Sequence, residues 1–282
     1  METFVSEDPK EIEEEKKRQA AYRKYLPDIM GDDEDETKYI LLPQKKNAEA
    51  NTAEKPHDKR AGYVQNLVNK AKVLAKEAAF ALNHPVTAWE IGAGVKRNST
   101  NISTKATRFA TKGEVLHGAK REEKDEGSEN GAFRHTLWQA DITSQAGEKR
   151  AREAGDAHEI NPNTNLDVRR FNYLENADQT TDLLNNQIGR RIGRENRYKS
   201  TKELALLVLE EFYKNGLYVS EQDEEGYWNV KKKTLDEAKY NSLLNVYKTM
   251  DQDGFTQEDH KRIKEKDKRK REELHAKWAT ME

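Results

Sequence analysis

The stretch GSENGAFRHTLWQADITSQAG, residues 127–147, predicts a short helix that carries a histidine in its interior. Phe133, Leu137 and Ala140 recur at helical spacing and predict a core-facing stripe. The same helix carries His135, one of only seven histidines in 282 residues. Such a histidine is either a core side chain that binds a backbone group or a member of a chemical site.

A second histidine lies at the end of AREAGDAHEINP, residues 151–162. His158 and Glu159 are adjacent, so on a regular helix they diverge by about 100°. Both reach one site only if the helix ends there, which Pro162 favours. Asp156 and Glu159 are three residues apart, and carboxylates beside a histidine can perform acid–base chemistry or bind a hard metal ion. The alternative is a helix C-terminus that stabilises an imidazolium.

A third helix, DLLNNQIGRRIGREN, offers carboxylate, amide and guanidinium groups. Asp182 and Asn186 line one face, with Arg190 at its edge, and they suit a metal or the polar groups of a substrate. Gly189 and Gly193 each cost a helix about 1 kcal/mol relative to alanine. They therefore predict close approach, either of another helix or of a substrate. Together the three segments predict one shared cleft.

Composition limits the possible classes of protein. Apolar residues make up 34% and charged residues 36%, so a small core and solvated extensions are expected. The 50 basic and 52 acidic residues nearly balance, which disfavours a dedicated nucleic-acid scaffold. The chain has no cysteine, so thiolate metal ligands and cysteine nucleophiles are excluded. It has no apolar run of membrane-spanning length, and its charged first residues are not expected to act as a secretory signal peptide.

The hydropathy pattern predicts a mainly α protein in three segments. Residues 1–60 form a charged N-terminal arm or linker, residues 61–215 a compact helical domain, and residues 216–282 a small β-hairpin followed by charged helices. The last helix, from residue 259 onward, has almost no apolar face and is expected to be solvated or bound to a partner.

Local signals predict the individual helices and strands. A solvated helix is expected at 7–24 and a short strand at 39–42. A helix over 61–84 would bury a stripe that includes Leu74. Residues 163–175 are expected to be irregular. Helices are expected to begin at Ser128 or Asn130, at Ser200 with Glu203, and at Thr234 to Glu237. A helix is expected to end at Asn215 with Gly216. LYVS and YWNVKKK are expected to pair as a hairpin.

Several familiar catalytic motifs are missing from the sequence. It has no P-loop, HExxH or GxSxG motif. DQDGFTQEDHKR begins like an EF-hand, but its glycine and its twelfth residue do not fit that loop.

In combination, three motifs resemble an uncharacterised bacterial domain. They are AFRHxxW (Ala132–His135 and Trp138), AHE (Ala157–Glu159) and DxxNNxxG (Asp182, Asn185, Asn186 and Gly189). The domain recurs in polymorphic-toxin, Rhs-type and wall-associated proteins and in type VI secretion effectors. The resemblance covers roughly residues 80–215. A fainter similarity, in Gly155-Asp-Ala-His158 alone, is to helical zinc-dependent phospholipase C and P1-type nucleases.

The resemblance implies a toxin or effector that attacks a rival bacterium or a host. We expect an antibacterial effector that is made in the bacterial cytoplasm and secreted without a signal peptide to act in a target cell. A cognate immunity protein and a component of the secretion apparatus are the expected partners. The target could be peptidoglycan, phospholipid or nucleic acid. The balanced charge slightly favours a cell-envelope component.

The leading hypothesis is a hydrolase, in which His135 is a general base or ligand and Glu159 its acid–base partner. His158 and Asp182 would orient groups or act as ligands. The expected substrate-binding residues are Arg134, Trp138, Asn185, Asn186 and Arg190. The cofactor is unknown; a divalent metal is possible, and its candidate ligands are His135, His158, Asp156 and Asp182. The alternatives are a non-enzymatic interaction protein, or a nuclease that binds nucleic acid through RRIGRENRYK and KRIKEKDKRKR.

Overall fold

The computed structural model describes residues 59–92 and 99–279, which are mainly helical, as predicted. The helices are α1 (Lys59–Asn83), α2 (Pro85–Ile91), α3 (Ile102–Thr111), α4 (Glu129–Ala146), α5 (Glu148–His158), α6 (Leu174–Glu195), α7 (Thr201–Lys214), α8 (Glu237–Lys248) and α9 (Gln257–Ala279). The strands are β1 (Arg170–Phe171), β2 (Leu217–Gln222) and β3 (Trp228–Lys233). None of the described helices is long and apolar enough to cross a bilayer.

The strands form one antiparallel sheet in the order β1-β3-β2. The predicted hairpin is confirmed, with Leu217 opposite Lys233 at one end and Gln222 opposite Trp228 at the other. The expectation that residues 163–175 are irregular was wrong at β1, which pairs with β3. A two-residue strand is too short to show alternation, so only its tertiary pairing defines it.

One hydrophobic cluster unites most of the described helices with the sheet. It contains Phe133 and Leu137 of α4, Leu209 of α7, Val219 of β2 and Tyr247 of α8. The core therefore continues across residue 215, where the sequence predicted the helical domain to end. The hairpin and α8 complete the packing around α4.

The boundaries predicted at Ser128, Ser200 and Gly216 are confirmed, but the helix predicted to open at Thr234 begins at Glu237 instead, because the Asp236 side chain caps it. Ser128 accepts a hydrogen bond from the Gly131 N–H at the start of α4. Ser200 and Glu203 form the predicted capping box of α7, and Gly216 follows that helix with a positive φ of 78°. The helix predicted at 7–24 and the strand at 39–42 lie outside the described residues.

Helix α1 differs from its prediction, because part of its apolar stripe faces solvent. Leu74, which belongs to the predicted stripe, is 67% exposed, and Leu82, which lies outside that stripe, is 84% exposed. Its contacts to α5 combine Phe80, which packs against the cluster of Ala151 and Ala154, with polar groups: the Lys76 ammonium and the Glu77 carboxylate bind residues at the end of that helix. Helix α9 is mostly exposed over residues 260–273, as its charge pattern predicted.

Candidate functional site

Helix α4 is buried on nearly all sides and packs most extensively against α6. Gly189 and Gly193 make this contact possible: a Cβ at Gly193 would lie 2.3 Å from the carbonyl oxygen of Ala140. Of the two explanations that the sequence left open for these glycines, the structure supports close helix packing. The packing sets the face of α4 that carries His135 against the face of α6 that carries Asp182.

Three ionisable side chains from three different segments converge beside this contact. The His135 Nε2 lies 3.5 Å from Oδ2 of Asp182. One possible ligand atom from each of His135, Glu159 and Asp182 lies within 4.8 Å of the others. The three residues are 4%, 0% and 4% exposed, respectively. The predicted convergence of imidazole and carboxylate groups is thus present in the fold.

Glu159 reaches the cluster because α5 ends at His158. Glu159 is the C-cap of that helix and has an extended backbone, with φ −88° and ψ 144°. The Lys76 Nζ donates to the carbonyl oxygens of Glu159 and Ile160, at 3.0 and 3.1 Å. A lysine at this position satisfies carbonyl groups that the helix leaves without an internal partner.

Two metal-ligand candidates from the sequence do not join the cluster. His158 stands beside it, with its ring centroid 6.1 Å from that of His135, but its Nδ1 lies 2.9 Å from a carboxylate oxygen of Glu77. Asp156 is half-buried, and burial raises its pKa although the charge of Arg190 opposes the shift. The sequence listed both as candidate ligands and gave Glu159 an acid–base role, whereas within the described residues it is the Glu159 carboxylate that lies with His135 and Asp182. His158 and Glu159 are adjacent, so their side chains point in different directions.

A buried polar layer extends from the cluster along α6. Arg190 donates to Oε1 of Gln139 at 3.1 Å, and the Nε2 of Gln139 donates to the Ala151 carbonyl at 3.0 Å. Gly155 leaves room for this layer, since a Cβ there would lie 2.8 Å from Gln139 Nε2 and 3.5 Å from Asn186 Nδ2. The layer thus joins α4, α5 and α6 next to the three ionisable groups.

Asn186 is unusual within the layer. It is 1% exposed, and within the described residues neither its amide nitrogen nor its amide oxygen has a hydrogen-bond partner. A buried amide without partners loses the free energy of its hydration, so its burial calls for a compensating partner. Asn186 is therefore suited to bind a group that enters the site.

Two residues predicted to bind substrate have other contacts. Asn185 points to the sheet, where its side chain exchanges two hydrogen bonds with the backbone of Tyr218. The Arg134 guanidinium donates to Asp125 at 2.7 Å. Burial alone would lower the pKa of Arg134, but the charges of Asp125 and Asp182 outweigh it and raise that pKa.

Trp138 forms one wall of the site. Its ring centroid lies 5.7 Å from that of His158 and 6.5 Å from that of His135. Its indole N–H donates to the Ser103 hydroxyl at 3.1 Å. Trp138 thus offers an apolar surface beside the two imidazole rings.

The sequence hypothesis missed Lys76, Glu77 and Gln139. Gln139 could have been found, because it lies one helical turn after His135 and shares its face. Lys76 and Glu77 belong to a charged helix outside the three motifs, and only the packing of α1 on α5 brings them to the site.

An open groove of about 750 Å³ lies elsewhere on the chain. Its lining includes Lys112, Lys248 and Arg262, and none of the predicted site residues. The buried chemistry and this groove are therefore separate features.

A family model described as a domain of unknown function (DUF6973) matches residues 91–216. The matched region contains the whole of α4, α5 and α6, and hence the cluster; α1 precedes it. Searches of curated proteins and of solved structures give no match.

Proposed function

We propose that the chain is an antibacterial effector whose His135, Glu159 and Asp182 form the centre of a hydrolase. The observation that carries this proposal is the burial of one imidazole and two carboxylates within 4.8 Å of one another. Ionisable groups are seldom buried together without a reason, and acid–base chemistry is a common one.

The centre has the groups that hydrolysis needs. An imidazole and a carboxylate can accept and return a proton as water attacks and the leaving group departs. Asn186 and Arg190 lie one and two turns beyond Asp182 along α6, so they can hold a polar or anionic group of the substrate. Trp138 supplies an apolar surface beside His135.

The proposed target is a cell-envelope component, either peptidoglycan or phospholipid. The arginines of RRIGRENRYK do not favour a nuclease, because they bind internal acceptors. Arg191 pairs with Glu211 at 2.7 Å, Arg194 with Glu148 at 3.0 Å, and Arg197 donates to the Thr143 carbonyl at 2.8 Å. Delivery by a secretion apparatus and neutralisation by an immunity protein belong to the same proposal.

Expression of the full chain in a susceptible bacterium, with and without a periplasmic leader, tests this function. We expect growth arrest only with the leader, and loss of arrest in His135→Ala at an equal protein level. His260→Ala is the matched control, since His260 also lies near a carboxylate, Asp251 at 2.7 Å, but is exposed and far along the chain. Arrest that survives His135→Ala would contradict the hydrolase. Arrest without the leader would contradict the envelope target and support the nuclease alternative.

A non-enzymatic interaction protein is the second candidate, and the exposed Leu74 and Leu82 of α1 favour it. Apolar side chains on one exposed helix suit a protein contact. This candidate predicts that Glu159→Gln leaves every cellular effect intact, whereas Leu74→Glu abolishes it. The opposite pattern would support the enzyme.

A further inference from the structure

The three converging groups have the donor atoms and spacing of a cation site. Zinc binds histidine nitrogen and carboxylate oxygen at about 2.0–2.2 Å, so two tetrahedral ligands lie roughly 3.4 Å apart. The His135 Nε2 and Asp182 Oδ2 are 3.5 Å apart, and the full set fits within 4.8 Å. A small conformational adjustment would bring all three atoms to one ion.

Charge and burial favour a cation at this point. Glu159 and Asp182 bring two carboxylates into one buried space, where their like charges repel each other. A divalent ion between them removes that repulsion and replaces the water that both carboxylates lose on burial.

Asn186 provides the second, independent observation. It follows Asp182 by one helical turn and faces Gly155, which precedes Glu159 by one turn of α5. Both of its amide atoms lack partners within the part of the chain that the structure describes. An amide oxygen is a neutral ligand for hard and borderline cations, and it also accepts a hydrogen bond from a coordinated water.

We infer that His135, Glu159 and Asp182 bind one first-row divalent cation of the zinc and manganese class, with Asn186 completing the polar shell. One nitrogen and two oxygen donors suit these ions, whereas calcium takes six to eight oxygens and magnesium retains most of its water. Three protein ligands leave a coordination position open, as in catalytic rather than structural sites. The inference rests on the proposed hydrolase for its purpose: such an ion would lower the pKa of an attacking water.

Calorimetric titration of the full chain, stripped with a chelator, tests the site with zinc chloride and, separately, manganese chloride. We expect one equivalent to bind the wild type. Glu159→Gln and Asp182→Asn keep side-chain shape but remove a charged ligand. Each should weaken binding by more than the roughly 10–100-fold that loss of an outer-shell contact costs. His260→Gln, which alters the exposed pair with Asp251, should leave the affinity unchanged.

A second measurement guards against variants that fail to fold. Cobalt bound to the wild type should give a visible absorption band that one equivalent of zinc removes, and zinc should raise the wild-type unfolding temperature. Absence of a stoichiometric site in the wild type, or unchanged affinity in both isosteric variants, would overturn the inference. If the wild type binds no metal in the titration but still arrests growth in a way that depends on His135, the cation site alone is overturned. Zinc binding at these residues without any such arrest would overturn the hydrolase and leave the cation site standing.

Discussion

Gly189 and Thr136 are in contact so close that a Cβ on the glycine would lie 2.3 Å from the threonine carbonyl oxygen. Thr136 directly follows His135 in the sequence, and Gly189 lies two helical turns beyond Asp182. The position of the imidazole relative to the carboxylate therefore depends on a helix crossing that only glycine permits.

Gly189→Ala should destabilise the fold by about 2 kcal/mol, because the added methyl group overlaps a backbone oxygen that cannot move alone. In an exposed helix the same change would stabilise by up to about 1 kcal/mol, so the sign of the effect reports the contact. Urea unfolding gives the measurement. Gln187→Ala, at an exposed position of the same turn, serves as the control and should change stability little. A stabilised Gly189→Ala variant would show that the helices do not meet here.

Asn185 and Asn186 are adjacent but should respond in opposite ways to alanine substitution. Asn185 donates to the Tyr218 carbonyl at 2.8 Å and accepts from the Tyr218 N–H at 2.9 Å. It thereby covers part of β2, an edge strand of the sheet. Asn185→Ala should lose about 1–3 kcal/mol of stability.

Asn186→Ala should keep nearly full stability, because its amide has no protein partner to lose within the described residues. It should instead weaken binding of the substrate or cation. Thermal unfolding together with zinc titration separates the two variants. If Asn185→Ala and Asn186→Ala lose the same stability, the assignment of a structural role to Asn185 and a binding role to Asn186 is wrong.

The sequence predicted those features that depend on neighbouring residues. The capping box at Ser200, the glycine after α7 and the hairpin each follow from spacing within a few positions. The convergence of His135, Glu159 and Asp182 was also predictable, since each lies in a distinct motif on or beside a helix.

Features set by tertiary contacts were not predictable in this way. Leu74 fits a helical apolar stripe, yet α1 turns its Lys76 and Glu77 toward α5 and leaves Leu74 in solvent. The two asparagines are indistinguishable in sequence, and only the location of β2 shows that Asn185 binds the sheet. Periodicity identifies an amphipathic helix but not which neighbour covers it.

Asp141→Asn should be neutral or stabilising at neutral pH. Burial raises the pKa of Asp141, even though Lys105, Thr201 and Gln145 act in the opposite direction. The pKa of Asp141 is higher in the folded than in the unfolded chain. The free energy of unfolding therefore falls as the pH rises from the unfolded pKa of this group through its folded pKa. Asparagine retains the shape of the protonated acid and avoids this loss, for a gain of about 1 kcal/mol or less.

Unfolding curves for Asp141→Asn and wild type, collected at several pH values, check this expectation. The difference should shrink as the pH is lowered toward the ordinary pKa of aspartate. Asp167→Asn, an exposed change, should show no such trend. A variant that is markedly less stable at neutral pH would mean that the charged carboxylate is favoured in the fold.

Lys76→Met should loosen the segment that carries Glu159. The ammonium donates to the carbonyls of Glu159 and Ile160, so its removal leaves both without that donor. We expect a loss of about 1 kcal/mol in stability and, if the cation site is correct, roughly tenfold weaker zinc binding. Lys72→Met, one turn earlier and exposed, should alter neither quantity. Indistinguishable behaviour of the two variants would show that α1 does not position Glu159.

Glu129 should give stability the opposite pH dependence from that of Asp141. It is buried at the start of α4, where Lys239 of α8 lies 2.6 Å and Lys233 of β3 lies 3.2 Å from its carboxylate oxygens. Burial alone would raise its pKa, but hydrogen bonds from Lys239, the His117 N–H and Lys233 together lower it below the ordinary 4.5.

A depressed folded pKa means that the stabilisation is fully present above the unfolded pKa and disappears as the pH falls through the folded value. Glu129→Gln should therefore lose about 2 kcal/mol at neutral pH, as expected for charged hydrogen bonds at a buried position. Because the wild type loses this contribution in acid, the difference between the two proteins should shrink below about pH 4.5. Urea unfolding across this range provides the measurement, with the exposed change Glu122→Gln as control. A difference that stays constant or grows in acid would show that the two lysines do not hold α4 to β3 and α8 through this carboxylate.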